Sequence, residues 1–190
     1  MRRPLLSTLL AVVAVAGLSS AALAHPGHGG GLAAGLSHPF TGLDHLLAMV
    51  AVGLWASQFG RRALVLLPMV FVSMMAAGAA LGVQGAAMPG VEAGIRMSVV
   101  VLGVAVASRV PVSLAMGATL VGLFAVFHGY AHGAEIPAAA SPLIYGLGFV
   151  AATLVLHGIG IAIGVLTNRP LLMRTAGGAI AVAGLLLFVA

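Results

Sequence analysis

HPFTGLDHLLAMVAVGLW, residues 38–55, opens an apolar span with two histidines and an aspartate. An ionisable side chain in a membrane segment costs about 2.5–3.5 kcal/mol on insertion scales, so it faces a partner, a polar interior or an ion path. On a helix advancing about 100° per residue, His38 and His45 share a face with Met49 one turn further on, and Asp44 stands beside it. A carboxylate next to an imidazole acts either as a second metal ligand or as the group that fixes the histidine tautomer. The bland alternative is a hydrogen-bonded network at the start of a buried helix. Three polar groups within eight residues speak against it.

The flanking sequence agrees with a membrane setting. Of 190 residues, 62% are hydrophobic and only 6% charged, whereas a soluble domain carries about a quarter charged residues. The formal charge of +5 comes from scattered arginines set against Asp44, Glu92 and Glu135. Arg2, Arg3, Arg61, Arg62, Arg96, Arg109, Arg169 and Arg174 form no basic stripe, which excludes a nucleic-acid surface. With no cysteine, disulfides and thiolate sites are excluded, leaving nitrogen, oxygen and methionine sulfur as metal ligands.

Residues 1–24, MRRPLLSTLLAVVAVAGLSSAALA, have an arginine-bearing start, an apolar centre and a small-residue ending, the pattern of a cleaved signal peptide. Residues 25–37 then read as a mobile, glycine-rich periplasmic leader with no helix before about Leu32. Its His25 and His28, with the new α-amino group, are expected to hold a divalent metal loosely as accessory ligands.

Residues 38–190 carry six apolar stretches, near 38–58, 63–83, 92–108, 111–132, 142–166 and 171–189, each close to the length that crosses a bilayer. The expected fold is therefore all-α: a polytopic membrane protein, a bundle of six transmembrane helices after the signal peptide. Arg61 and Arg62, Arg109, and Arg169 with Arg174 fall in alternate turns, which the positive-inside rule assigns to the cytoplasm. The mature N-terminus is then periplasmic, in a bacterial inner membrane. Small residues at three- and four-residue spacing, such as Gly78 with Gly82 and Gly160 with Gly164, let helix backbones approach, and a homo-oligomer is compatible with them.

A second polar cluster, FHGYAHGAE, residues 127–135, ends the fourth span, with His128, His132 and Glu135 on one helical stripe. The spacing resembles zinc helices but lacks the H-E-x-x-H pattern, so a metalloprotease is unsupported. If the first helix enters from the outside and the fourth leaves toward it, both clusters lie in the outer half of the bilayer. His38, Asp44, His45, His128, His132 and Glu135 would then converge on an N/O site suited to Ni(II), Co(II) or Zn(II). His157 lies deeper in the fifth span and reads either as a later station or as a packing residue. Glu92 and Arg96, one turn apart, should pair.

HPFTGLDH, FHGYAHGAE, the alanine-ending signal peptide and the six following spans resemble, over the whole chain, the HupE/UreJ family of bacterial nickel and cobalt permeases. The resemblance implies a secondary transporter taking up divalent nickel, or cobalt, for hydrogenase or urease maturation. It implies no prosthetic group, the ion being cargo, with the metal and the lipid bilayer as partners. A rival from another class is an intramembrane metal-dependent hydrolase, in which the same side chains hold zinc and activate water.

Overall fold

Apolar sequence in a bilayer has no water to satisfy backbone N–H and C=O groups, so it must bond them internally, as helices do. The computed structural model describes residues 30–138, 140–167 and 169–189, and it contains no strand among the described residues. Its helices are α1 (Gly30–Thr41), α2 (Leu43–Ala56), α3 (Ala63–Val83), α4 (Val91–Ser108), α5 (Leu114–Ala134), α6 (Pro142–Thr167) and α7 (Pro170–Leu186). The expected signal peptide, His25 and His28 lie outside the described residues.

The helices α3, α4, α5 and α6 are each long and apolar enough to cross a membrane. The expected first span differs. It is a broken pair, α1 and α2, bent by 81°, which counts as a fifth crossing if taken as one. Gly42 makes the break by adopting an extended backbone (φ −97°, ψ 115°), and its carbonyl accepts the Leu46 N–H at 3.0 Å to start α2. The leader also differs from expectation, being helical from Gly30 onward. Packing overrides propensity there: Gly31 lies against Ile144, and Gly35 sits directly on the Tyr145 carbonyl of α6. The expected sixth span is the 17-residue α7. At 1.5 Å per residue it is about 26 Å long, slightly less than the hydrocarbon thickness.

The central helix is α2. It packs on α6, α4, α3 and α7, and it contributes the fully buried Ala48, Met49, Ala51, Val52 and Ala56 to the core. Glycines set the closest approaches. Gly53 of α2 meets the His157 carbonyl of α6, while Gly160 of α6 meets the Val50 carbonyl of α2. Gly129 and Gly133 of α5 rest on the Met75 and Ala79 carbonyls of α3. Gly53 with Gly160 and Ser57 with Gly164 advance in the same chain direction for α2 and α6, as Met75 with Gly129 and Ala79 with Gly133 do for α3 and α5. Gly103 and Gly177 bring α4 and α7 together in opposite directions. Six alternating crossings would have this relation of first to fifth, second to fourth and third to sixth.

The outward face is apolar, with Leu143, Leu166 and Val65 among the most exposed side chains. Such a surface suits lipid and would be a liability in water. Arg96 approaches Glu92 at 4.0 Å, as the spacing predicted.

Candidate metal centre

The last turn of α1 carries His38 and the first turn of α2 carries Asp44 and His45. On a straight helix, residues seven apart would be about 10.5 Å apart along the axis. The bend at Gly42 folds them together, and the His38 and His45 rings stand 6.3 Å apart, centre to centre. A Cβ at residue 42 would lie 2.9 Å from Asp44 Oδ1 and 3.0 Å from His45 Nδ1, and would push this pair of side chains aside.

Asp44 Oδ1 accepts from the His45 backbone N–H at 2.8 Å and from ring Nδ1 at 2.7 Å. The proton is therefore on Nδ1, and the Nε2 lone pair is free. That Nε2 is buried and unpartnered among the described residues. Of the two roles open to Asp44, the geometry displays the one that orients His45.

His128 and His132 sit one turn apart on α5, 0% and 3% exposed. The His45 ring lies 4.4 Å from that of His132 and 4.8 Å from that of His128, and His38 is 4.7 Å from His132. Four imidazoles from three helices thus meet inside the bundle, in the convergence that matching depths had suggested. At the end of α5, Glu135 Oε2 comes within 3.6 Å of His38 Nε2. His38, His132 and Glu135 each offer a donor atom, all within 4.8 Å of one another. Ligands around one bound ion with bonds near 2.0–2.1 Å stand about 3 Å apart. A small inward movement of side chains would close the set.

Ser98, in the middle of α4, was not foreseen. Its hydroxyl donates to the Ile95 carbonyl at 2.6 Å, so its oxygen must accept from His128 Nε2–H at 2.9 Å. His128 Nδ1 is left with a free lone pair, buried and unpartnered among the described residues. Serines in apolar helices usually bond their own preceding carbonyls, so nothing in the sequence distinguishes this one. Aromatic walls were also unforeseen. Phe149 of α6 lies 3.8 Å from the His132 ring, and Tyr145 lies 6.1 Å from His38. A cleft of about 360 Å³ between α3, α5 and α6 borders His132, Tyr145 and Phe149.

Two other expected ligands stand apart from the cluster. Met49 is fully buried in the hydrophobic core one turn beyond His45. His157 packs on Phe71, whose ring is 5.8 Å from His128 and 5.0 Å from His157.

The arrangement joins the buried imidazoles of His45, His128 and His132 to a partly exposed His38 and an exposed Glu135, with Asp44 behind His45, a donor set for a borderline divalent cation. Fold and site together define a class: a multi-pass helical membrane protein with a histidine cluster inside the bundle. Residues 13–187 match the family described as HupE / UreJ protein. The chain is also 45% identical over 187 residues to Protein HupE of Rhizobium leguminosarum bv. viciae, covering 96% of this chain and 98% of that one. No solved structure matches it. The chain belongs to the HupE/UreJ family.

Proposed function

We propose that the protein is a permease that takes up divalent nickel, or cobalt, from the periplasm into the cytoplasm. Family membership supports a role in nickel or cobalt transport. The observation that carries the reading is the meeting of His38, His45, His128 and His132 beside Glu135, with free lone pairs inside an apolar bundle. A carboxylate at the cluster's end attracts a hydrated cation, and imidazoles replace its water as it moves inward. Asp44 and Ser98 keep two of these imidazoles in the ligating tautomer, sparing the cation the work of rearranging protons.

The membrane potential favours inward movement by about 2.3 kcal/mol per charge per 100 mV, or about 4.6 for a divalent ion. That suffices for roughly a thousandfold accumulation. The sequence contains no G-x-x-x-x-G-K-[ST] loop, so this chain offers no phosphate-binding motif of that kind. Delivery to hydrogenase or urease maturation accords with the family. The hydrolase reading needs a water-activating group free to act on a lipid bond. Asp44, one of its two candidates, is committed to His45.

The test is uptake of labelled nickel by proteoliposomes with and without the protein, and with His45→Ala or His128→Ala at equal abundance. Uptake only with the wild-type protein is expected. Normal uptake by both variants would remove the cluster from the pathway.

A further inference from the structure

We propose that Thr153 and His157 form a second, inner cation station, linked to the outer cluster by the ring of Phe71. The proposal rests on the permease reading and extends it to residues outside the two polar motifs.

Thr153 and His157 lie four residues apart on α6, hence on one face, and are 0% and 1% exposed. Thr153 Oγ1 and both His157 ring nitrogens are buried and unpartnered among the described residues. An unsatisfied buried polar atom is costly, and a bundle in lipid offers little water as a remedy. A helical threonine normally donates to a carbonyl of the preceding turn. Thr167 of the same helix does so to Ile163 at 2.7 Å, and Thr175 does so to Leu172 at 3.1 Å. Thr153 makes no such bond, so its hydroxyl is left available beside His157.

Phe71 links this pair to the outer cluster. It is fully buried on α3, and its ring packs against both His128 and His157, tilted against the first and edge-on to the second. His128 Nδ1 has a free lone pair in the outer cluster, and the phenyl ring beside His128 also touches the inner imidazole. The inner station has one imidazole and one hydroxyl with no carboxylate assigned to it, so it takes a partly hydrated nickel or cobalt ion more weakly than the outer set. Conduction needs this order, with sites favourable enough to enter and weak enough to leave. The imidazole also keeps preference for borderline cations over magnesium or calcium.

The full chain in lipid nanodiscs, titrated with cobalt(II) chloride and followed by visible absorption and calorimetry, tests this. Wild-type protein should take up two ions of unequal affinity. His157→Gln should retain only the tighter one. Thr153→Val, which keeps the side chain's volume, should weaken the second about tenfold, as loss of one net bond predicts. Size-exclusion profiles check folding, and Thr153→Val carries the test if His157→Gln aggregates. A single ion in the wild type, or a second ion unchanged in a folded variant of either residue, would overturn the inner station. Labelled-nickel uptake by wild-type proteoliposomes is measured in parallel. Uptake with only one bound ion would defeat the inner station and leave the permease reading standing; no uptake would defeat the permease reading itself.

Discussion

Ser98→Ala isolates the contribution of a group that should never touch the metal. Ser98 donates its own proton to Ile95 at 2.6 Å and stands 2.9 Å from His128 Nε2, an arrangement that favours the imidazole proton on Nε2. Removing the hydroxyl leaves a buried N–H without an acceptor, at a cost of about 1–3 kcal/mol. The ring can escape that cost by moving its proton to Nδ1, but then the free lone pair faces the methyl group that replaces the hydroxyl, and the ligating nitrogen is lost. Outer-sphere substitutions of this kind lower metal affinity by about 10- to 100-fold, equivalent to roughly 1.4–2.7 kcal/mol. The assay is nickel uptake across a range of concentrations, with membrane abundance measured beside it. Half-saturation should rise by about 10- to 100-fold with abundance near normal. A variant with wild-type half-saturation would show that His128 ligates without Ser98's help, or does not ligate. Loss of abundance in step with activity would reduce Ser98 to a packing residue.

Three further outcomes are expected. Gly129→Ala places a methyl group on the Met75 carbonyl and should cut membrane abundance through overpacking worth about 1–3 kcal/mol, whereas Gly178→Ala, with nothing near its Cβ, should not; immunoblotting of membranes compares them. A reporter active only in the periplasm should work when fused after Ala190 or within residues 136–141 and fail beside Arg61 or Arg169, and the reverse pattern would invert the pathway. His25→Ala with His28→Ala should raise the nickel concentration for half-maximal uptake and leave the maximal rate nearly unchanged, because a tethered ligand aids encounter only while metal is scarce; a collapsed maximal rate at normal abundance would refute the tether.

The polar residues were the legible part of the site because they stand out in apolar sequence. His38, Asp44, His45, His128, His132 and Glu135 announce themselves by composition, and matching helix depth was enough to suggest that they meet. The break at Gly42 was hidden because Leu43 and its successors keep the hydropathy high, and a hydropathy pattern does not register a change of direction. No helix was expected before about Leu32 in so glycine-rich a stretch, yet the missing side chains of Gly31 and Gly35 are what let α1 lie against α6. Ser98, Thr153 and Phe71 were not legible for a different reason. Each is an ordinary residue of an apolar helix, and its role depends on whether the hydroxyl or ring faces the helix backbone or an imidazole.

The bond between neighbouring Asp44 and His45 bears on how the chain is made. Their partners on α5 leave the ribosome roughly 80 residues later, about 4–16 s at 5–20 residues per second. Throughout that interval the first hydrophobic segment must wait in or beside the translocation channel with a carboxylate on it. Because the imidazole next to it can satisfy that carboxylate at once, the segment needs no distant helix to become tolerable to lipid. His132 and Glu135 are the last of the cluster to be made, so the nascent chain holds no complete set of ligands until α5 has been synthesised, with α6 and α7 still to follow.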